Sequence, residues 1–267
     1  MIYKKIMLDE SAYLDVYAAD KIEGCERKGI LIIPGGGYCE VCADREGEPI
    51  AQAFIPCGFN AFVLHYSVAG EKTFPAQLIQ ASRAMKHIKD NAEEYGIDKD
   101  EVFAVGFSAG GHLCASLGVM WNKKEIYDEI DMPYGYNKPK GVMLMYPVIS
   151  GVSEFAHMGS FQNLFADESP TAEQLKAASI EVNVTDNAVP AYIVHSTNDP
   201  IVPVENSLLL AMEYSKRKIP YELHIYPNGA HGFCLGNKIT WCGYEEAVGD
   251  NISDWLPNAV KWTNRVK

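Results

Sequence analysis

Short apolar runs alternate with longer segments of helical period along most of the chain, and this alternation constrains the fold most strongly. Several of the runs are apolar on both faces, as buried parallel strands are. The candidate strands are 12–17, 29–34, 60–66, 101–107, 141–146, 191–195 and 221–226. Segments 74–95 and 203–219 have the apolar spacing of amphipathic helices. The pattern predicts an α/β fold with a mostly parallel central sheet and helices on both faces.

One segment, 151–189, interrupts the alternation before the strand at 191–195. It has no strong strand pattern, and it mixes Phe155, Phe161 and Phe165 with polar residues. We expect a short cap-like insertion over the edge of the sheet. Because no Gly/Ser-rich linker, repeat or low-complexity stretch divides the chain, residues 1–267 are predicted to form a single domain.

The charge balance argues against two classes of partner. The chain has 35 acidic and 23 basic residues, for a formal net charge of −12, so neither nucleic acid nor an anionic membrane is an expected partner. The longest apolar run, 141–149, is far shorter than the roughly 20 residues that cross a bilayer. After Lys4 and Lys5, only three apolar residues precede Asp9, too few for a secretory signal. We therefore expect a cytoplasmic protein.

The seven cysteines are irregularly spaced, unlike the paired framework of a small secreted domain. Cys39 and Cys42 form a C-x-x-C pair, which occurs in redox centres and as half of a zinc site. A zinc site needs two more ligands, and the spacing of Cys234 and Cys242 does not pair them with the first two. The sequence therefore predicts reduced thiols and no bound metal.

A nucleophile motif follows the fourth candidate strand. Residues 106–110 read Gly-Phe-Ser-Ala-Gly, and the segment after them can begin a helix. A G-x-S-x-G between a strand and a helix is the context of a nucleophile elbow, in which the serine occupies a strained turn. The glycines are needed there because side chains at 106 and 110 would collide with neighbouring backbone. This context predicts Ser108 as the nucleophile of an α/β-hydrolase fold.

A serine hydroxyl needs a general base, and in this fold the histidine comes last in the chain order. His231 lies in a glycine-flanked loop, 227–233, directly after a candidate strand. Such a loop can place an imidazole at the carboxyl edge of the sheet. We therefore predict His231 as the base, in preference to the other histidines that follow the serine: His112, His157, His195 and His224.

The acid that orients the base must lie between the serine and the histidine in the sequence. Asp199 follows the strand at 191–195 and precedes an amphipathic helix. Asp186 precedes that strand, whereas Asp250 and Asp254 come after His231. Asp199 is therefore the predicted acid, although an aspartate here can also begin a turn or a helix.

Acyl transfer also needs donors for the oxyanion of the tetrahedral intermediate. Three successive glycines at 35–37 follow the early strand at 29–34, and their backbone N–H groups can approach a ligand closely. With the N–H of Ala109 they would form an oxyanion hole. A dinucleotide fingerprint is absent because Glu40 occupies the position of its last glycine, and no phosphate-loop lysine follows.

The chain resembles the small α/β-hydrolase esterases related to hormone-sensitive lipase, especially their acetylxylan-esterase-like relatives. The resemblance spans nearly the whole chain and rests on segments 34–38, 45–49, 65–68, 106–112, 198–203 and 229–232. It implies that Gly36 and Gly37 supply the first two oxyanion donors. Pro34 occupies the place of a histidine in the lipase-like members, which favours the sugar-esterase branch.

This reading predicts a serine hydrolase that cleaves short-acyl esters, such as acetyl esters of sugars or xylo-oligosaccharides, without a cofactor. Aromatic side chains that can stack on a sugar ring are expected at the rim of the site, at Tyr38, Tyr66 and Trp241. Two alternatives remain. One is a peptidase of the prolyl-oligopeptidase type, although the chain length leaves no room for the β-propeller of that group. The other is a non-catalytic ligand-binding protein, although such proteins typically lack a member of the triad.

Overall fold

A computed structural model of the chain describes residues 1–240, 243, 245, 248 and 251–267. Within these residues, an eight-stranded sheet has the order β1-β2-β4-β3-β5-β6-β7-β8. β1 pairs antiparallel with β2 and β2 pairs antiparallel with β4, whereas the pairs from β4 to β8 are parallel. The strands are β1 (Ile2–Met7), β2 (Tyr13–Ala18), β3 (Arg27–Ile33), β4 (Phe59–His65), β5 (Ile97–Phe107), β6 (Val142–Met145), β7 (Ala191–Ser196) and β8 (Tyr221–Tyr226).

Helices connect the parallel strands. They are α1 (Ala43–Glu46), α2 (Glu48–Phe54), α3 (Ala76–Asp90), α4 (Ala92–Tyr95), α5 (Ser108–Val119), α6 (Lys124–Glu129), α7 (Met158–Phe165), α8 (Ala172–Ala178), α9 (Ile180–Asn183), α10 (Glu205–Arg217) and α11 (Trp255–Thr263). No described helix is long and apolar enough to cross a bilayer.

The two faces of the sheet are buried in separate hydrophobic clusters. Successive residues of β3 alternate between them: Leu31 and Ile33 belong to the cluster that contains residues of α3, α5 and α10, whereas Ile30 and Ile32 belong to the cluster that contains residues of α2 and α11. This alternation follows from the two-residue period of side chains along a strand. Helices therefore cover both faces, as the sequence predicts.

The predicted fold class is confirmed, with two differences in detail. The N-terminal strand β1 was not expected, because Lys4 and Lys5 interrupt its apolar residues and its side chains alternate between half-buried and exposed. The predicted helix at 74–95 is divided at Asn91 into α3 and α4, and it ends at Gly96, which has a φ of 62°.

Residues 151–189 contain α7, α8 and α9 and connect β6 to β7. Phe161 and Leu164 on α7 are buried in the cluster that also contains residues of α5. α8 begins with a capping box, in which Thr171 and Gln174 bond each other's backbone N–H groups. The segment therefore packs against the core, and its action as a cap stays a prediction.

The parallel strands bring four loops to one edge of the sheet. The loops that follow β3, β5, β7 and β8 leave the carboxyl ends of their strands, and open parallel sheets bind ligands at that edge. These loops carry Gly36, Ser108, Asp199 and His231. β8, the last strand of the described sheet, has half-buried side chains along most of its length.

Candidate active site

Ser108 occupies a strained turn between β5 and α5. Its φ is 53°, a left-handed conformation that is uncommon for residues other than glycine. A Cβ at Gly106 would lie 2.2 Å from the Gly110 carbonyl oxygen, and one at Gly110 would lie 2.2 Å from the carbonyl oxygens of Ile33 and Pro34. The turn therefore requires both glycines of the motif, for the steric reason that the sequence predicts.

A chain of hydrogen bonds joins the three predicted catalytic residues. Ser108 Oγ lies 2.8 Å from His231 Nε2, and His231 Nδ1 lies 2.7 Å from Asp199 Oδ2. Because a carboxylate only accepts, Nδ1 carries the proton, which leaves Nε2 free to accept from the serine hydroxyl. The structure thus brings together three residues that are far apart in the sequence, in the geometry of a nucleophile, base and orienting acid.

Asp199 is held as an anion. Its Oδ1 accepts the N–H groups of Ile201 and Val202 at 2.9 Å each, and the side chain is 1% exposed. His195 Nε2 lies 3.3 Å from Oδ2. Burial alone would raise the pKa of Asp199, but hydrogen bonds from His195, His231 and the backbone outweigh it and lower the pKa below its usual value.

His195, which the sequence analysis ranked below His231 as the base, has the surroundings of a buried polar side chain. Nδ1 bonds the Ser207 hydroxyl at 2.8 Å, and Nε2 bonds the Val202 carbonyl at 3.0 Å. Its proximity to Asp199 was not expected. Four residues separate the two in the sequence, but the contact depends on how the loop after β7 folds back.

The carbonyl groups of Gly36 and Gly37, in the glycine loop after β3, are hydrogen-bonded to other parts of the protein. Gly36 and Gly37 have φ values of 122° and 61°. The Gly36 carbonyl accepts from the N–H of Cys39 at 3.0 Å, and the Gly37 carbonyl accepts from Asn163 Nδ2 at 2.8 Å. Among the described residues, no hydrogen bond joins the N–H of Gly36, Gly37 or Ala109 to a protein acceptor.

A cavity of about 520 Å³ opens above Ser108. Its lining includes Ser108, His231, Gly36 and Gly37, together with side chains that the sequence analysis did not assign to the site. The latter are Glu40, Arg45, Glu46, His157, Pro200 and Ile201. His157 comes from the segment before α7, and its Nδ1 bonds the Ser160 hydroxyl at 2.9 Å. Burial, followed by the nearby His231, lowers the pKa of His157.

The structure contradicts the expected position of two of the rim aromatics. Tyr38 and Tyr66 are each 2% exposed, and neither lines the cavity. The Tyr38 hydroxyl bonds His112 Nδ1, and the Tyr66 hydroxyl donates to the Pro34 carbonyl, both at 2.8 Å. Both rings therefore support the glycine loop from the core. Trp241, the third predicted aromatic, lies outside the described residues.

The Cys39 and Cys42 side chains make separate contacts. Cys39 is exposed, and its thiol donates to the Gly36 carbonyl, whereas Cys42 is buried and lies 2.9 Å from Arg45 Nη2. Burial raises the pKa of the Cys42 thiol to about 12. The described part of the chain contains no cluster of three or more His, Cys, Asp or Glu side chains able to hold a metal ion.

Comparison with known protein families identifies the chain. Residues 14–214 match the family model described as BD-FAE. The chain belongs to the BD-FAE family. The matched region contains Ser108 and Asp199, and His231 follows it. The predicted resemblance to acetylxylan-esterase-like hydrolases is confirmed by this match and by the individual relatives.

Two curated proteins similar to this BD-FAE chain are larger than it. Endo-1,4-beta-xylanase B of Butyrivibrio fibrisolvens is 38% identical over 82% of the chain, which spans 34% of that protein. Acetylxylan esterase of Xylanibacter ruminicola is 29% identical over 86% of the chain, which spans 45% of that protein. The chain thus spans less than half the length of these relatives.

Solved structures match this BD-FAE chain over nearly its whole length. The acetyl ester-xyloside bifunctional hydrolase from Caldicellulosiruptor lactoaceticus is 31% identical, with a TM-score of 0.83, and the match covers 98% of this chain and 96% of that one. A second structure, described as an alpha/beta hydrolase enzyme, is also 31% identical, with a TM-score of 0.81. The chain therefore has the α/β-hydrolase fold.

Proposed function

We propose that this chain is a serine hydrolase that cleaves carboxylic esters through an acyl-enzyme. The observation that carries the proposal is the unbroken line of hydrogen bonds from Ser108 through His231 to Asp199, at the floor of an open cavity. Relatives named as esterases and as an acetyl ester hydrolase support the same chemistry.

In the first half of the reaction, Ser108 Oγ attacks the ester carbonyl carbon while His231 Nε2 takes the hydroxyl proton. Asp199, held ionised, stabilises the imidazolium that forms. The N–H groups of Gly36, Gly37 and Ala109 donate to the oxyanion, since they have no acceptor among the described residues. His231 then protonates the leaving alcohol, and the acyl group remains on Ser108.

In the second half of the reaction, a water molecule takes the place of the departed alcohol. His231 removes its proton, and the oxygen attacks the acyl carbon. The tetrahedral intermediate collapses with return of the proton to Ser108 Oγ and release of the carboxylic acid. These steps need only the side chains and backbone donors already described.

We further propose that the substrate is a short-acyl ester of a sugar or xylo-oligosaccharide. Two relatives support it: one is named an acetylxylan esterase and the other an acetyl ester-xyloside hydrolase. Four of the side chains that line the cavity, Glu40, Arg45, Glu46 and His157, are charged or polar, and they can form hydrogen bonds with a hydroxyl-rich alcohol. That residues 1–267 form one domain, and that the protein is cytoplasmic, stay predictions.

A panel of p-nitrophenyl esters from acetate to palmitate, with acetylated xylo-oligosaccharides beside it, tests the proposal. Acetyl and propionyl esters should have much higher kcat/KM than decanoyl or longer ones. An apolar acyl tunnel would instead add about 0.8 kcal/mol per buried methylene, so kcat/KM rising through octanoate would contradict the short-acyl assignment. A panel of peptide p-nitroanilides separates an esterase from a peptidase.

Ser108→Ala tests the nucleophile in the same panel. The variant should lose several orders of magnitude in turnover with an unchanged circular dichroism spectrum, because only the oxyanion and binding contributions remain. An organophosphate should label Ser108 in the wild type, as peptide mapping can show. Residual turnover within tenfold of the wild type would refute the assignment.

A further inference from the structure

Glu46 is a buried carboxylate that the mechanism above does not use. It is the last residue of α1 and is 3% exposed, yet it lies in the wall of the cavity near Ser108. Burying a charge costs free energy unless hydrogen bonds compensate it. The question is therefore what its two oxygen atoms bind.

One oxygen of Glu46 binds the start of the glycine loop. Oε2 accepts the N–H of Gly35 at 2.7 Å. A Cβ at Gly35 would lie 2.7 Å from the Phe107 carbonyl oxygen and 2.9 Å from Ser108 Cβ. The loop therefore presses directly against the nucleophile elbow at the residue that Glu46 holds. A displacement of Gly35 would carry Gly36 and Gly37 with it.

The other oxygen of Glu46 binds the residue that supports the base. Oε1 accepts the Tyr146 hydroxyl at 2.8 Å, and that hydroxyl accepts the N–H of Cys234 at 3.2 Å. The Tyr146 ring packs edge-on against His231, with 5.0 Å between the ring centroids. The carboxylate is thereby linked to the segment that carries the catalytic histidine.

The Gly35 N–H and the Tyr146 hydroxyl each need an acceptor, and a carboxylate can accept a hydrogen bond on both of its oxygens. Burial raises the pKa of Glu46, while the hydrogen bonds from Gly35 and Tyr146 act in the opposite direction. A neutral amide at this position would present one acceptor and one donor. It would therefore leave either the Gly35 N–H or the Tyr146 hydroxyl without its partner.

We propose that Glu46 is a positioning residue that fixes the glycine loop, residues 35–37, relative to His231 through its hydrogen bonds to Gly35 and Tyr146. The inference rests on the proposed ester hydrolysis, since it assigns a role within that site. Oxyanion donors act through placement, and removal of one such donor lowers kcat by about 10²–10³-fold in a well-studied protease. Displacing the loop without removing a donor should cost less.

The test compares Glu46→Gln, Tyr146→Phe and the double variant on p-nitrophenyl acetate. We expect each single variant to lower kcat by about 10–100-fold with KM within threefold, because the loop acts on the transition state. Affinity for a methyl trifluoromethyl ketone, whose adduct with Ser108 carries an oxyanion, should fall by the same factor as kcat/KM. The double variant should be no slower than the slower single variant, because both changes break one linkage.

Glu181→Gln is the matched control. Glu181 is a half-buried carboxylate that accepts the Ser150 hydroxyl, and it does not line the cavity. Burial raises its pKa as it does that of Glu46. The control should therefore reproduce any general cost of replacing such a carboxylate, with kcat and ketone affinity close to those of the wild type.

The inference is wrong if Glu46→Gln has the same kcat as Glu181→Gln. It is also wrong if Glu46→Gln raises KM and leaves kcat unchanged. If Glu46→Gln does not fold, Tyr146→Phe alone decides: a kcat at the wild-type value overturns the inference, and a kcat lowered at least fivefold with unchanged KM supports it.

The activities of the wild type and of Ser108→Ala separate a failure of this inference from a failure of the proposed function. An inactive wild type refutes the esterase, whereas an active wild type with an equally active Glu46→Gln refutes only the role of Glu46.

Discussion

Acidification should destabilise the protein through a buried histidine that is hydrogen-bonded to Tyr38, the residue that follows the glycine loop. His112 is 1% exposed. Its Nε2 lies 2.8 Å from the Ala178 carbonyl and its Nδ1 lies 2.8 Å from the Tyr38 hydroxyl. Because the carbonyl only accepts, Nε2 carries the proton and Nδ1 accepts from Tyr38. A second proton would leave Nδ1 facing a hydroxyl that has lost its acceptor.

The size of the effect follows from the difference in pKa between the folded and unfolded states. Burial lowers the pKa of His112 to about 4, against roughly 6.5 in an unfolded chain. Between these values the unfolded state binds the extra proton and the folded state does not, so stability falls as the pH falls. At 1.36 kcal/mol per pKa unit, the loss is about 2 kcal/mol at pH 5 and about 3 kcal/mol at pH 4.

Urea unfolding of the wild type and of His112→Gln at pH 7, 6 and 5 measures this contribution. Glutamine has one acceptor and one donor that can replace those of the neutral imidazole, and it does not titrate. Other groups titrate alike in both proteins, so their contributions cancel in the difference. We expect the free energy of unfolding of the wild type to fall by about 2 kcal/mol more than that of the variant between pH 7 and pH 5.

Parallel pH profiles for the two proteins would refute this reasoning, because they would mean that His112 binds its proton equally in both states. A wild type that gains stability on acidification relative to the variant would reverse the sign of the pKa shift. Neither result would bear on the triad, since His112 does not take part in it.

Three further predictions concern the site. Asp199→Asn should lower kcat by about 10⁴-fold, because an amide that donates to His231 Nδ1 stabilises the wrong tautomer; an unchanged kcat in steady-state assays would exclude Asp199 as the orienting acid. Gly110→Ala should destabilise the protein by about 3 kcal/mol in urea unfolding, because its Cβ would lie 2.2 Å from two carbonyl oxygens, and a loss below about 1 kcal/mol would be too small for such a clash. Ester hydrolysis should be unaffected by EDTA, and activity that disappears and returns with zinc would indicate a metal site.

The parts of the fold and site that the sequence predicted are those with short-range signals. Ser108 lies in a local motif of five residues between a strand and a helix, and the chain order of the fold then selects Asp199 and His231. The parallel strands were recognisable because each is a short run that is buried on both faces.

The remaining features depend on contacts that a linear pattern does not contain. Tyr38 follows the glycine loop. Its backbone is in the left-handed region, with a φ of 60°, and its ring lies in the core rather than at the rim. Glu46 belongs to a segment that marked the family, but its partners lie 11 and 100 residues away. Neither the direction of a side chain after a loop nor a hydrogen-bond partner that is distant in the sequence could be derived from composition or from the spacing of apolar residues.

Because β8 lies at the end of the described sheet, the segment that carries His231 can detach under milder conditions than those that unfold the whole domain. An end strand has a neighbour on one side only, and the side chains of β8 are half-buried. Local opening at such a margin costs less free energy than global unfolding. His231, the proposed general base, follows this strand directly, so detachment of β8 would remove His231 from Ser108 while the central strands stay paired. Mild denaturant should therefore abolish turnover before the bulk of the secondary structure is lost.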